Sequence, residues 1–304
     1  MANASTILWL RKDLRLADNS ALKAAIDAGA PVVPIFIWSP KEAGSWAPGA
    51  ASKWFLHQAL KSLGEQFEAR GGKLILRQGD SLAELRSVIE KTGAKRVVWN
   101  RRYEGPLREL DTSIKKKLRE DGVEVLSYNS LLLNEPHTAS TGSGKPYKVY
   151  TPYWKKVKDR KIEPVVEPDL RKLIFPDSYP QTVALDSLSL LPEEQWYRKF
   201  YPHWEVSESA AQKRLQGFLE DAVEDYDSAR DIPGERGTSS LSPYLHWGLI
   251  GPRQVMHRLK EKSNLRQSGP QVFAKHCASI TDTGAGPGES AFHGMQHRRR
   301  IGCR

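Results

Sequence analysis

Apolar positions in the first 128 residues follow two alternating patterns. Short runs rich in β-branched and aromatic residues predict five strands, at 6–10 (TILWL), 32–38 (VVPIFIW), 73–77 (KLILR), 95–100 (KRVVWN) and 123–128 (VEVLSY). Longer segments between them predict helices near 19–28, 50–70, 81–91 and 107–120. In the longest, Trp54, Leu56, Leu60, Leu63 and Phe67 recur mostly every three or four residues, which gives one apolar face, and Gly71-Gly72 ends it. Strands that are apolar without alternation, separated by helices, belong to a parallel sheet covered on both faces. The expected fold over residues 1–130 is therefore α/β, a doubly wound parallel five-stranded sheet. Pro34 fits this poorly, because a central strand has no use for a residue without an N–H.

Regular periodicity fails across 131–206, a stretch rich in Pro, Ser, Thr and Lys that reads as a linker. Tyr147, Tyr150, Tyr153 and Trp154 stand among Lys145, Lys148, Lys155, Lys156, Lys158, Arg160 and Lys161. Such a mixture suits a nucleic-acid backbone with stacking side chains, and equally a solvated linker whose aromatics pack on its neighbours. From Ser207 the pattern turns helical: Ala211, Leu215, Phe218, Ala222 and Tyr226 share one face, and Tyr226 and Arg230 lie one turn apart.

Ligands of doubly wound sheets bind outside the carboxyl ends of the strands. Those ends carry Arg11, Lys12, Asp13 and Arg15 after the first strand and Asn100, Arg101, Arg102 and Tyr103 after the fourth, with no GxGxxG fingerprint. The densest candidate chemistry comes later, in YDSARDIPGERGTSSLSPYLHWG (226–248). Thr238, Ser239, Ser240 and Ser242 place four hydroxyls within five residues, and Pro243 follows. Pro favours the first helical position, which makes Ser242 the expected N-cap. Hydroxyls, free amides and the positive end of a helix would then converge on a place for phosphate. An ordinary capped helix start is the plainer reading of the same residues.

The net charge of +10 over 304 residues adds a polyanionic partner to the picture, with nucleic acid first. No apolar run is long enough to span a membrane, and the first residues lack the layout of a secretory signal. Two cysteines, Cys277 and Cys303, fit a reducing, cytoplasmic setting. His276, Cys277, His293, His297 and Cys303 match no zinc spacing well, so no metal is expected.

Several of these segments together resemble the DNA photolyase and cryptochrome family. LWLRKDLRLADNSAL is similar to its N-terminal signature, WAPGAASKWFLHQALKSL to the segment after its second strand, GKPYKVYTPYWKK to its interdomain motif, and YDSARDIPGERGTSSLSPYLHWGLIGPRQV to the start of its flavin-binding domain. The resemblance runs over roughly residues 5–275. It implies an α/β antenna domain (1–130), a linker (131–206) and the start of an all-helical FAD-binding domain (207–275). It further implies that Tyr226, Thr238, Ser239, Ser240, Leu241 and Ser242 hold the FAD phosphates and that Arg230 meets the DNA backbone. The implied activity is light-driven electron transfer from FAD to cyclobutane pyrimidine dimers in DNA, by a cytoplasmic monomer. The implied alternative is a cryptochrome-type blue-light photoreceptor. A stand-alone nucleotide-binding module fits less well, given the linker and the TSSLS run. Pro106 and Leu107 stand where folate-contacting polar residues are expected, so the antenna chromophore, folate or deazaflavin or none, stays open.

Past Lys275 the family continuation is absent. Residues 276–304 (HCASITDTGAGPGESAFHGMQHRRRIGCR) read as a low-hydrophobicity tail, as after a truncation or frameshift. Such a chain is expected to be inactive alone, to lack a rigid FAD site and to expose apolar residues such as Trp247 and Leu249.

Overall fold

A computed structural model describes residues 4–145, 147 and 149–282. Five parallel strands, β1 (Thr6–Leu10), β2 (Val32–Trp38), β3 (Ile75–Gln78), β4 (Arg96–Asn100) and β5 (Glu124–Tyr128), form one sheet in the order β3-β2-β1-β4-β5. The helices among them are α1 (Ser20–Asp27), α2 (Pro40–Ala43), α3 (Ala50–Glu68), α4 (Ser81–Thr92) and α5 (Gly105–Glu120). This is the expected doubly wound α/β fold, with the order reversing beside β1. Asn19 caps α1 by accepting from the Leu22 amide, and Asp80 caps α4 through the Ala83 amide. Pro34 does lie in an interior strand, opposite Leu8 of β1. Pairing with β3 begins only at Ile35, so no ladder on that side is broken by the missing N–H.

Both sheet edges are blunted. On the β5 edge the Val125 carbonyl accepts from the Arg119 guanidinium at 2.9 Å, and the Ser127 carbonyl accepts from Arg101. On the β3 edge the linker supplies partners: Leu76 donates its amide to the Thr182 hydroxyl and accepts from the Val183 amide, both at 2.9 Å. An edge covered this way offers no template to another strand.

Among its described residues the linker holds one α-helix, α6 (Tyr150–Val157), and four short 3-10 helices, and it otherwise wraps the α/β part. Ile174 accepts from the Val32 amide, Val166 from the Asp18 amide, and Phe175 lies so close to Gly72 that any Cβ there would stand 2.3 Å from its ring. Five helices follow: α7 (Glu208–Asp221), α8 (Tyr226–Ala229), α9 (Ser242–Trp247), α10 (Pro252–Lys262) and α11 (Ser268–Asp282). The helical pattern expected to run unbroken through Tyr226 is interrupted after Asp221. The start of α11 approaches the break so closely that a Cβ on Gly269 would meet the Glu224 and Val223 carbonyls at 2.1 and 2.3 Å.

The apolar residues of β1 divide between two cores. Ile7 and Trp9 pack with Val97, Trp99, Leu85 and Ile114 on one face. Leu8 and Leu10 pack on the other face with Leu22, Trp54 and Leu60, in a cluster that continues without a gap to Leu215, Trp247, Leu249 and Phe273. The helical segment thus shares a core with the sheet. This overturns the expectation for Trp247 and Leu249: they are 4% and 0% exposed, and the Trp247 indole donates to the Ser52 carbonyl of α3 at 3.1 Å. Helix α11 also runs through Lys275 to Asp282, with Cys277 and Ala278 buried. The rest of the expected tail, 283–304, lies outside the described residues.

Candidate functional site

At the strand ends the polar residues are already committed. Arg11 is buried, clamps Asp111 at 2.6 and 2.8 Å, donates to the Asn100 carbonyl, and lies 4.4 Å above the Trp9 ring. Asn100 donates its side-chain amide to Asp13 at 2.6 Å and to Asn19 at 2.8 Å. Arg15, fully buried, donates to the carbonyls of Asp18 (2.7 Å), Ser130 (2.9 Å) and Gly248 (3.0 Å). Arg253 of α10 reaches Asp18 at 2.9 Å, and the Glu208 carboxylate accepts from the Leu16 and Ala17 amides at 2.8 and 2.9 Å. Burial pushes the Glu208 carboxyl up despite those two amides. Two glycines let the backbones meet: a Cβ on Gly248, whose φ is +68°, would stand 1.9 Å from the Lys12 carbonyl oxygen, and one on Gly251 would stand 2.3 Å from Asp18. The signature loop is thus the socket on which the helical segment docks.

The end of β4 is committed as well. Arg101 pairs with Glu135 at 2.9 Å, and the Tyr103 hydroxyl donates to the same carboxylate at 2.6 Å. Arg102 joins Arg11 on Asp111 at 3.2 Å. For Glu104, burial opposes the charge, but Lys12 at 2.5 Å and nearby Arg102 hold its carboxyl down at about 2. Pro106 is in the first turn of α5 and Leu107 is buried.

Residues 226–242 contrast with this. Tyr226 is buried between Phe218 and Phe273, with ring centroids 5.6 and 5.2 Å away. Its hydroxyl lies 3.3 Å from Nδ1 of His276, and a guanidinium nitrogen of Arg230 lies 3.1 and 2.8 Å from Nδ1 and Nε2 of the same ring. The shared face expected for Tyr226 and Arg230 is therefore present, and His276 joins it. From sequence His276 had figured only in the weak metal pattern. Among the described residues no group of three or more His, Cys, Asp or Glu side chains could hold a metal; His293, His297 and Cys303 lie outside them.

The hydroxyl run is fixed to the same short helix. Gly237 presses on Ala229 of α8, where a Cβ would stand 2.5 Å from the Ala229 backbone. Beyond it Leu241 is buried and anchors the loop, while Thr238 and Ser242 are exposed and Ser239 and Ser240 half-buried. Ser240 adopts φ +50°, the left-handed region that a residue with a side chain rarely takes. Ser242 is not the N-cap. Leu241 already has helical dihedrals, its carbonyl accepts from the Leu245 amide at 2.9 Å, and the Ser242 hydroxyl makes no capping bond. Among the described residues the hydroxyls of Thr238, Ser240 and Ser242 meet no protein partner, and Ser239 only accepts a 3.4 Å bond from the Leu241 amide. Four hydroxyls gathered within five residues, around a turn strained at Ser240 and open to solvent, can all donate to an anionic oxygen-rich group, so the residues present fit a nucleotide phosphate.

Fold and site together define a doubly wound α/β domain with a helical segment docked on its strand ends and a hydroxyl-rich loop before α9. Residues 6–169 match the family model described as DNA photolyase, and the chain belongs to that family. It is 40% identical to the deoxyribodipyrimidine photo-lyase of Agrobacterium fabrum over 263 residues, 86% of this chain and 54% of that protein. It is 36% identical to cryptochrome-2 of Arabidopsis thaliana over 268 residues, 84% of this chain and 43% of that protein. Among solved structures, a bacterial class III photolyase from Agrobacterium tumefaciens superposes with a TM-score of 0.84 at 38% identity, over 91% of this chain and 57% of that one. The chain spans about half the length of the curated relatives it matches first. No helix among the described residues is long and apolar enough to cross a membrane.

Proposed function

We propose that this chain provides the α/β domain and the FAD-phosphate wall of a deoxyribodipyrimidine photo-lyase, which repairs cyclobutane pyrimidine dimers in DNA with light. Thr238, Ser239, Ser240, the Leu241 amide and Ser242 would bind the FAD phosphates, with Tyr226 closing that end. Reduced FAD, when bound, supplies on illumination the electron that splits the dimer. Arg230, one turn from Tyr226 and 29% exposed at its side chain, would meet a DNA phosphate beside the cofactor. Enzymes that act on a base within a duplex, photolyases among them, take it out of the stack, so backbone contacts next to the cofactor are where the strand must be held. The net charge of +10 supports a DNA partner over a purely signalling role. The protein would act as a cytoplasmic monomer.

The observation that carries this reading is the run of solvent-accessible hydroxyls at 238–242 gathered around the strained Ser240 beside the helix of Tyr226. The test is the absorbance spectrum of the purified chain with added FAD, beside the Thr238→Ala/Ser242→Ala variant. Weak flavin binding by the parent, in keeping with the expected lack of a rigid FAD site, and weaker binding still by the variant are expected; equal binding would remove the assignment. Light-dependent dimer repair is expected to be absent from this chain alone, because it matches only about half of each first relative. Robust repair by it would overturn that expectation. DNA binding that is salt-sensitive and weakened by Arg230→Ala is expected; unchanged affinity would remove Arg230 from the DNA face.

A further inference from the structure

The linker and the last helices enclose a second cavity, of about 160 Å³, that plays no part in the site above. Its walls include Trp154 of α6, Met256 of α10 and Ala274 of α11, and its outer side is formed by Lys158, Lys161 and Lys260, all exposed. Arg160 adds a fourth cation, and it donates to the Thr138 carbonyl at 2.8 Å. Among the described residues only one acid lines the cavity, Asp159, 3.9 Å from Lys158.

Size and charge together narrow what would bind. An apolar space of about 150 Å³ takes a single benzene ring, whereas drug-sized ligands need roughly 300–1,000 Å³. This cavity therefore holds one planar ring and leaves the rest of a ligand outside, where the lysines stand. An indole wall favours stacking, at about 1–3 kcal/mol for a nucleic-acid base, and the exposed Gln271 amide offers both a donor and an acceptor to a ring edge. The chain's own residues 283–304 are a poor occupant, because Arg298, Arg299, Arg300 and Arg304 there face Glu289 as the only acid, so like charges would meet.

We propose that this cavity binds a nucleobase carrying a phosphate, with the ring against Trp154 and the phosphate on Lys158, Lys161 and Lys260. A free mononucleotide and a base in a single strand share this chemistry. The test is calorimetric titration of the full chain with thymidine monophosphate, adenosine monophosphate, a short single-stranded oligothymidylate, thymidine and inorganic phosphate. The mononucleotides or the oligonucleotide should bind at least tenfold tighter than thymidine or phosphate. The ligand that binds most tightly identifies the source. The Lys158→Gln/Lys161→Gln/Lys260→Gln variant should weaken that binding about tenfold or more and flatten its salt dependence. Ala274→Leu should abolish it by filling the cavity, and Trp154→Leu should weaken it if Ala274→Leu does not fold. Nucleotide binding no tighter than that of phosphate, or unchanged in the triple glutamine variant, would overturn the proposal. Repeated in the Thr238→Ala/Ser242→Ala background, which removes the other place proposed for a nucleotide phosphate, the triple glutamine change should have the same effect, and this separates failure of the present proposal from failure of the FAD reading.

Discussion

The loop after β1, rich in charge, and the loop before α9, rich in hydroxyls, are both polar and use their side chains in opposite ways. Between Arg11 and Asn19, buried polar side chains close on one another or on the docked helices: Arg11 on Asp111, Asn100 on Asp13, Arg15 on three carbonyls, Asp18 on Arg253. Between Thr238 and Ser242 the hydroxyls are open to solvent and make almost no bonds to the rest of the described residues, in a turn strained at Ser240. A buried polar group without a partner is costly, and although the Nε atoms of Arg11 and Arg15 have none, each of these buried side chains is held by other hydrogen bonds within the protein, which places the loop in the scaffold. A strained loop whose hydroxyls face solvent has those groups free of any scaffold role, which is what the proposed phosphate contact requires. Richness in charge at a strand end is therefore no guide to where a ligand sits; whether the groups already have partners is.

The comparison breaks most visibly where the socket itself is filled. Gly248→Val places a branched side chain at φ +68°, where even a Cβ meets the Lys12 carbonyl at 1.9 Å. The expected loss is several kcal/mol, read as a lower urea midpoint and as rapid proteolysis of the linker once the helices come off the sheet. Parental stability in Gly248→Val would mean the docking seen here is not needed.

Arg11→Met comes next. It leaves Asp111 buried with only Arg102, 3.2 Å away, and removes the guanidinium above Trp9. Breaking such a pair from one side costs about 3–5 kcal/mol, while replacing both partners costs far less. Arg11→Met/Asp111→Leu should therefore recover much of the loss in chemical denaturation. A double variant as unstable as the sum of its single changes would show that packing, not charge, makes Arg11 matter.

Acid titration sharpens the same contrast within the socket. Glu104 has a folded pKa of about 2 against an ordinary value of 4.5. Its contribution to stability is complete above pH 4.5 and is lost as pH falls through about 2. Glu208 has a raised pKa, so its contribution is present below 4.5 and fades as pH rises through that raised value. Urea midpoints followed from about pH 2 to pH 7 should lose their acid-side slope in Lys12→Met and their slope above pH 4.5 in Glu208→Gln. Unchanged profiles would contradict both assignments.

Much of the fold could be read in advance, because strand and helix periodicities are local. Trp54, Leu60, Leu63 and Phe67 pointed to one buried face and share one. The socket could not be read, since it depends on backbones meeting across more than 200 residues: nothing near Gly248 in the sequence names Lys12 as its neighbour. For the same reason Trp247 and Leu249 read as exposed when they are buried against the sheet. In the candidate site the residue types and the one-turn spacing of Tyr226 and Arg230 were legible. The cap at Ser242 was misplaced because Leu241, an apolar anchor, takes up helical dihedrals before it. His276 was missed as a partner of Arg230 because side chains far apart in sequence meet there only through the packing of α11 on α8.

The smallest effect separates the two loops most cleanly. Ser240→Gly relieves a left-handed φ that costs a residue with a side chain roughly 1 kcal/mol or more, while adding some backbone freedom to the unfolded chain. Removing its hydroxyl breaks no bond within the protein. Stability should therefore change by less than about 1 kcal/mol, in the stabilising direction. Asp18, the left-handed residue of the socket, is the control. It has a similar φ of +50°, but its carboxylate is tied to Arg253 and to the Val166 amide, so Asp18→Gly should destabilise the chain despite relieving the same strain. Unfolding curves that move in opposite directions for the two glycine substitutions, with flavin retention reduced in Ser240→Gly alone, would assign the strain to scaffold in one loop and to ligand binding in the other. Two curves shifted the same way would mean that partnering does not distinguish them.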